Sequence, residues 1–523
     1  MKSFSPVMTL ALLAAFFGSR ADADAAPPHS YTPTPIFCAS GQNALCDRIP
    51  AFIGDDPALG TAPKQGYAGI VFPPTSAAKD VQSPFDNMAW QMFVALNWPA
   101  GPSEQAVSGP TSTGRRVWQD WRRVQDVFGA APNTPSCANP ENLPVLAIAS
   151  NGAHTPSARG EEYLQASTGL PLIDANGNWT VYERRLNDVE IRYLLAPDGD
   201  PSHRLTTTDG QKAFVAAGGK VSFPLSASTP VGRNGAMEIK AAWRIISKAQ
   251  GDDPARYFTM RAMLAVSGDL VSGAREICRP VTLGLVGMHI LQKNPDQGNL
   301  FSQWIWASFE HVDNAPLAKT ACDPTGKTDC PNILTKTPSP SCGPADPDAK
   351  IRYSYFRSDA KDTTSVTNVA PIPSTSAPAF HWRAEEPYAG DYLPPGSLGP
   401  QAARCWSVYS YTQTLNAAWQ DELKKAGSVF ANYMLIGTQW GTHIAPYFGY
   451  ELPSDAVPGL LSNVTMETYI QNFATEVNEQ GPGSCVGCHS GATLALGSTP
   501  SDFSFLPSLA EPGLTRRIGV KSR

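Results

Sequence analysis

Apolar residues along this chain change period several times, and each change marks a different element. In 85–98 (FDNMAWQMFVALNW), Phe85, Met88, Ala89, Met92, Phe93 and Leu96 recur at helical spacing. That predicts an amphipathic helix stopped by Pro99. Val117, Trp118, Trp121, Val124 and Phe128 predict a second helix. From Leu172 the pattern becomes strand-like. Residues 172–182 read as a hairpin built on Asn176-Gly177, and further strands are predicted over 237–246, 257–266, 281–291 and 300–310. Helical patterns return at 414–426, at 429–435 and at 465–475. In the last of these, Thr465 and Glu467 approach a capping box, one residue short of its spacing. The predicted class is α+β: a helical N-terminal part, a strand-rich central body and a helical C-terminal segment.

Composition adds that the fold is rich in loops. The 523 residues include 48 Pro and 43 Gly, and only 16% are charged. Pro, Ser and Asp dominate 320–400, which also holds Cys322, Cys330 and Cys342. This reads as a surface excursion stapled by disulfides. A formal net charge of −6 gives no footprint for nucleic acid as a partner.

Lys2, the apolar run 7–17 and the Ala21-Asp22-Ala23 site match a secretory signal peptide over 1–23. The run is too short to span a membrane, and no later stretch reaches the necessary length. A periplasmic or secreted location is therefore expected. The expected organisation is a signal peptide, a body over 24–410 and a C-terminal region over 411–523. Ten cysteines fit export, because disulfides persist in oxidising compartments. Cys38–Cys46 and Cys322–Cys330 are candidate short-range pairs.

The most specific chemistry lies in Cys485-Val486-Gly487-Cys488-His489. Two thiols at this spacing can each form a thioether to a haem vinyl group, and the next His falls under the iron. A redox disulfide or half of a zinc site are the competing readings. Zinc wants a second ligand pair at similar spacing, and the sequence has none. A calcium reading of the loop after Asp174 fails, because Trp179 stands where Gly is required and Arg185 where Glu is required. The chain carries no G-x-S-x-G, H-E-x-x-H or P-loop.

In these five residues the chain resembles the c-type cytochromes. The resemblance implies one covalent haem c held by Cys485 and Cys488, with His489 as proximal iron ligand. In the common soluble pattern a Met ligand follows well downstream. Here the 34 residues after His489 contain neither Met nor His. A sixth ligand must therefore come from upstream, or the iron has an open site. The candidates are Met466, Met434, His443, His289 and His311.

If 281–291 and 300–310 pair around the Asn294–Gly298 turn, His289 opposes Gln303 and His311 opposes Val281. The two imidazoles then lie roughly 26 Å apart at ~3.3 Å per residue, and cannot share one iron. Glu310, His311 and Asp313 form either a solvated strand end or an acid/base cluster. Arg115, Arg116, Arg122 and Arg123 are either an exposed helix face or partners for haem propionates. Trp304, Trp306, Trp382, Trp406, Trp419 and Trp440 are core, or line a pocket.

The expected function is that of an exported haem protein with a redox role. A haem-dependent oxidoreductase with its substrate pocket in the large body is favoured, because a carrier needs far fewer residues. The alternatives are electron transfer with a partner protein, and a haem-based ligand-binding or sensor module.

Overall fold

Strand β6, Ile277–Lys293, is the axis of the fold. The computed structural model describes residues 82–100, 114–152, 154–166, 168–226, 234–273, 275–294, 304–322, 342–357, 367–371, 380–392, 402–440, 460–471 and 485–511, with isolated positions between 33 and 51. The signal-peptide region 1–23 and the pairings Cys38–Cys46 and Cys322–Cys330 lie outside the described residues.

One edge of β6 pairs antiparallel with β4 (Met237–Ile245), which pairs with β3 (Val181–Leu186), and β3 with β1 (Arg122–Arg123). The other edge is shared. Ile277 to Gly284 pair with β5 (Thr259–Val266), which carries β2 (Val145–Ile148) alongside it in parallel. Gly287 to Lys293 pair with β7 (Trp304–His311), which carries β11 (Tyr433–Trp440). A second sheet places β8 (Leu317–Cys322) between β9 (Ala345–Asp346) and β10 (Arg404–Trp406). With helices on the faces of an antiparallel-dominated sheet, the class is α+β.

Alternation along the strands gives the large sheet two buried faces. Ile239, Ala241, Met288, Ile290, Ala307 and Phe309 face helices α1 (Ser83–Leu96) and α5 (Ser410–Lys425). There Phe93 stacks on Phe309 at 4.1 Å, and Trp90 on Trp419 at 5.9 Å. Nearly every residue of α1 is buried, so it is an internal helix rather than the amphipathic one expected. It ends at Leu96, where Asn97 donates its backbone N–H to Phe93 and Ala95.

On the opposite face, Leu186, Leu291, Trp304 and Trp306 receive Val486, Leu494 and Leu506 from the C-terminal segment. Burying those three side chains contributes roughly 5–9 kcal/mol before ordering costs. The same cluster takes Ile191 and Leu194 of α3 (Asp188–Leu195) and Phe214 of α4 (Thr208–Ala216).

Three sequence expectations are corrected. The helix expected over 117–128 is a 3-10 turn, Val117–Asp120, then β1 and the short α2, Val124–Phe128. Arg185 donates to the carbonyls of Gln119 and Trp121, both at 2.7 Å, taking acceptors that a continuous helix would use. The helix expected over 429–435 is a 3-10 turn, Val429–Asn432, followed by β11. A short apolar run cannot separate helix from strand by period alone.

The β6–β7 pairing is right, but its register is not. His289 opposes Ser308, not Gln303. The shift changes parity. It turns Trp304 and Trp306 toward the C-terminal segment, and Ile305, Ala307 and Phe309 toward α1 and α5.

The hairpin over 172–182 is present, with Gly177 at φ 80° and Asp174 accepting from the N–H groups of Asn176 and Asn178. Buried Arg244 fixes it from below, bonding Asp174 at 3.2 Å and Asp252 at 3.0 Å. Disulfides join Cys137 to Cys278 and Cys342 to Cys405. The second closes the end of the Pro-rich excursion onto β10. Among the described residues, no helix is long and apolar enough to cross a membrane.

Candidate haem-attachment site

Helix α6, Cys485–His489, is a little over one turn long. At 100° per residue, positions i, i+3 and i+4 share a side, so Cys485, Cys488 and His489 face one way. Val486, about a quarter turn round from Cys485, is buried in the sheet, in the cluster against which Cys485 also packs. Its backbone N–H donates to Gln439 Oε1 of β11 at 2.9 Å. The packing of one residue therefore orients the three that carry chemistry. Neither Cys485 nor Cys488 forms a disulfide with a described cysteine. Burial pushes the Cys485 thiol well up, and the charge of Glu467 adds to this.

His489 Nδ1 lies 2.7 Å from the carbonyl oxygen of Phe503. Burial pushes its pKa down to about 4. The ring is therefore neutral at pH 7, with its proton on Nδ1 donated to Phe503, and Nε2 keeps its lone pair. Trp306 and Phe505 flank the ring, with centroids at 5.8 and 5.2 Å.

The accepting carbonyl belongs to a left-handed turn that its neighbours hold in place. Asp502 and Phe503 sit at φ 51° and 65°, left-handed positions that non-glycine residues seldom adopt. Three contacts hold Asp502 there: Lys293 Nζ at 2.6 Å, the Phe223 N–H at 2.7 Å, and the Trp304 indole on its carbonyl at 2.7 Å.

A carboxylate stands on the neighbouring strands. His289 lies on β6 between Lys240 of β4 and Ser308 of β7. Glu467 Oε2 is 3.5 Å from His289 Nε2 and accepts the Asn463 N–H at 2.8 Å. Burial pushes the Glu467 carboxyl up, but the charge of His289, Lys240 and the Asn463 N–H outweigh it, leaving it below its ordinary value. The segment 463–467 reaches this place because Gly287 has no side chain. A Cβ there would collide with Thr465 Oγ1 and approach Asn463 Oδ1 to 3.2 Å. Asn463 donates to Ser308 Oγ and the Phe309 carbonyl, and the Val464 N–H donates to buried Glu310 at 2.6 Å.

The other sequence candidates separate. Met466 is fully buried among Tyr182, Ala242 and Tyr355, in a different core cluster from Val486. The turn that carries it runs 464–471, where a helix was expected, and its pivot is Asn463. His443 lies outside the described residues. The Glu310–Asp313 strand end is buried rather than solvated. His311 Nε2 bonds the Arg256 carbonyl and its Nδ1 accepts the Asp313 N–H. Arg116 is not on an exposed face; its guanidinium lies over the rings of Phe258 and Phe430.

Among the described residues, no three of His, Cys, Asp or Glu converge as a metal-ion cage. Haem c does not need one. Two thiols and one neutral imidazole with an available Nε2 are the donor set it uses, and that set is present. Sequence spacing singled out these three residues as the candidates. It missed Asp502, Phe503 and Glu467, whose roles arise only when distant strands meet. No family model, curated protein or solved structure matches this chain.

Proposed function

We propose that this chain is an exported c-type haem protein with a redox role, in which Cys485 and Cys488 hold the haem and His489 is the proximal ligand. The observation that carries this reading is the His489 Nδ1–Phe503 carbonyl contact. It fixes the tautomer and aims the free Nε2 away from the carbonyl, as ligating histidines require. Haem c, when bound, supplies a one-electron couple. The chain's own residues orient His489, shield it with Trp306 and Phe505, and place the anionic Glu467 nearby.

Electron transfer to or from a partner is the role these residues support best, because a second imidazole, His289, stands on the sheet face of Leu291 and Trp306, where the motif packs. A haem-dependent oxidoreductase remains the second reading. What favours it is the size of the body built around the site.

The test is the full chain matured with c-type haem machinery, denatured and stained for haem. Haem should stay on the polypeptide, and Cys485→Ser with Cys488→Ser should abolish that retention. Colour that washes away on denaturation of the wild type would sink the proposal.

A further inference from the structure

Five upstream side chains were candidates for the second axial position, and the fold sorts them. His311 has both nitrogens engaged, pairs with Tyr433 of β11, and has its ring stacked on Tyr257 at 4.2 Å. It is three positions along β7 from Ser308, the partner of His289, so the two imidazoles point to opposite faces of the sheet. Met466 is packed into another cluster. Met434 pairs with Glu310, four positions along the ladder from Trp306, roughly 13 Å at ~3.3 Å per residue. His443 is outside the described residues.

His289 is different. It shares its face of the sheet with Leu291 and Trp306, the residues on which α6 packs. Its Nε2 is buried and makes no hydrogen bond to a described residue. Its nearest described partner is the Glu467 carboxylate, whose Oε2 lies 3.5 Å away, an ion-pair contact longer than an ordinary hydrogen bond. A buried imidazole nitrogen left in this state costs free energy unless something binds it.

We propose that His289 supplies the second axial ligand of the haem held by Cys485, Cys488 and His489. This rests on the haem reading above and makes the iron six-coordinate. The ligand comes from the middle of the large sheet, not from a segment after the motif. Glu467 then stands beside the bound imidazole as a fixed negative charge, which favours the oxidised iron.

The experiment uses the haem-loaded full chain. Covalent haem is first verified by its pyridine haemochrome, so a failure of the haem reading is seen separately. The oxidised protein is then examined by electron paramagnetic resonance and near-infrared magnetic circular dichroism. The expected result is low-spin iron with two imidazoles, indifferent to carbon monoxide. His289→Gly should keep the covalent haem, become high-spin and bind carbon monoxide, and added imidazole should restore the low-spin signal. Glu467→Gln should raise the reduction potential while leaving two imidazoles in place. Unchanged low-spin iron in His289→Gly overturns the assignment. If that variant does not fold, the wild-type dichroism decides alone: a His/Met or five-coordinate signature overturns it.

Discussion

His311 shows how burial turns a titratable residue into a stability term. Fully buried and bonded at both nitrogens, it has its pKa pushed by burial to about 4. The unfolded chain takes up that proton near pH 6.5. Its contribution to stability is therefore complete above about pH 6.5 and is lost as the pH falls toward 4. The amount is about 3 kcal/mol. Urea unfolding of the protein at pH 7 and pH 4.5 should show this loss, and His311→Gln should flatten it. Equal slopes for the two proteins would refute the assignment. The same residue marks a limit of sequence reading. Glu310, His311 and Asp313 read as a polar strand end, and only the arrival of Arg256, Arg404 and Val464 from elsewhere buries them. Cys485, Cys488 and His489 were legible as candidates because the proposed covalent attachment demands local spacing. Asp502 and Phe503 were not, because their left-handed turn is imposed by Lys293, Phe223 and Trp304.

At the level of elements, strands of strong β-branched and aromatic content were legible, and so was one pairing between long strands, β6 with β7. Register was not, since a loop of unknown length leaves parity open, and parity decides which face Trp304 and Trp306 take. Position 287 is where this matters for the site. Gly287→Ala should push the 463–467 segment off the sheet and cost about 1–3 kcal/mol, as overpacking usually does. Thermal unfolding of that variant, of Thr465→Ala and of the double variant should show coupling, with the second change recovering part of the loss. Additive effects would mean that the two residues do not meet as described.

Across the whole molecule, the two disulfides bracket sequence separations of 141 and 63 residues. By loop-closure entropy they are worth roughly 5 and 4 kcal/mol. The Cys342–Cys405 link matters more locally, because β10 is tied to the turn above the site. Gln471 accepts the Cys405 N–H at 3.0 Å and donates to the Ala403 carbonyl at 3.0 Å. Replacing both Cys342 and Cys405 by Ala should lower the unfolding midpoint in urea by an amount matching that entropy. A midpoint equal to wild type would show that the bridge does not form. The placement of α6 has a further consequence. Every strand that receives Val486 precedes it in the chain, so a polypeptide delivered N-terminus first builds the receptacle before the motif arrives. A chain cut short between Trp440 and Cys485 has every strand of the large sheet but lacks Val486, Leu494 and Leu506, which pack on its Leu291 and Trp306 face.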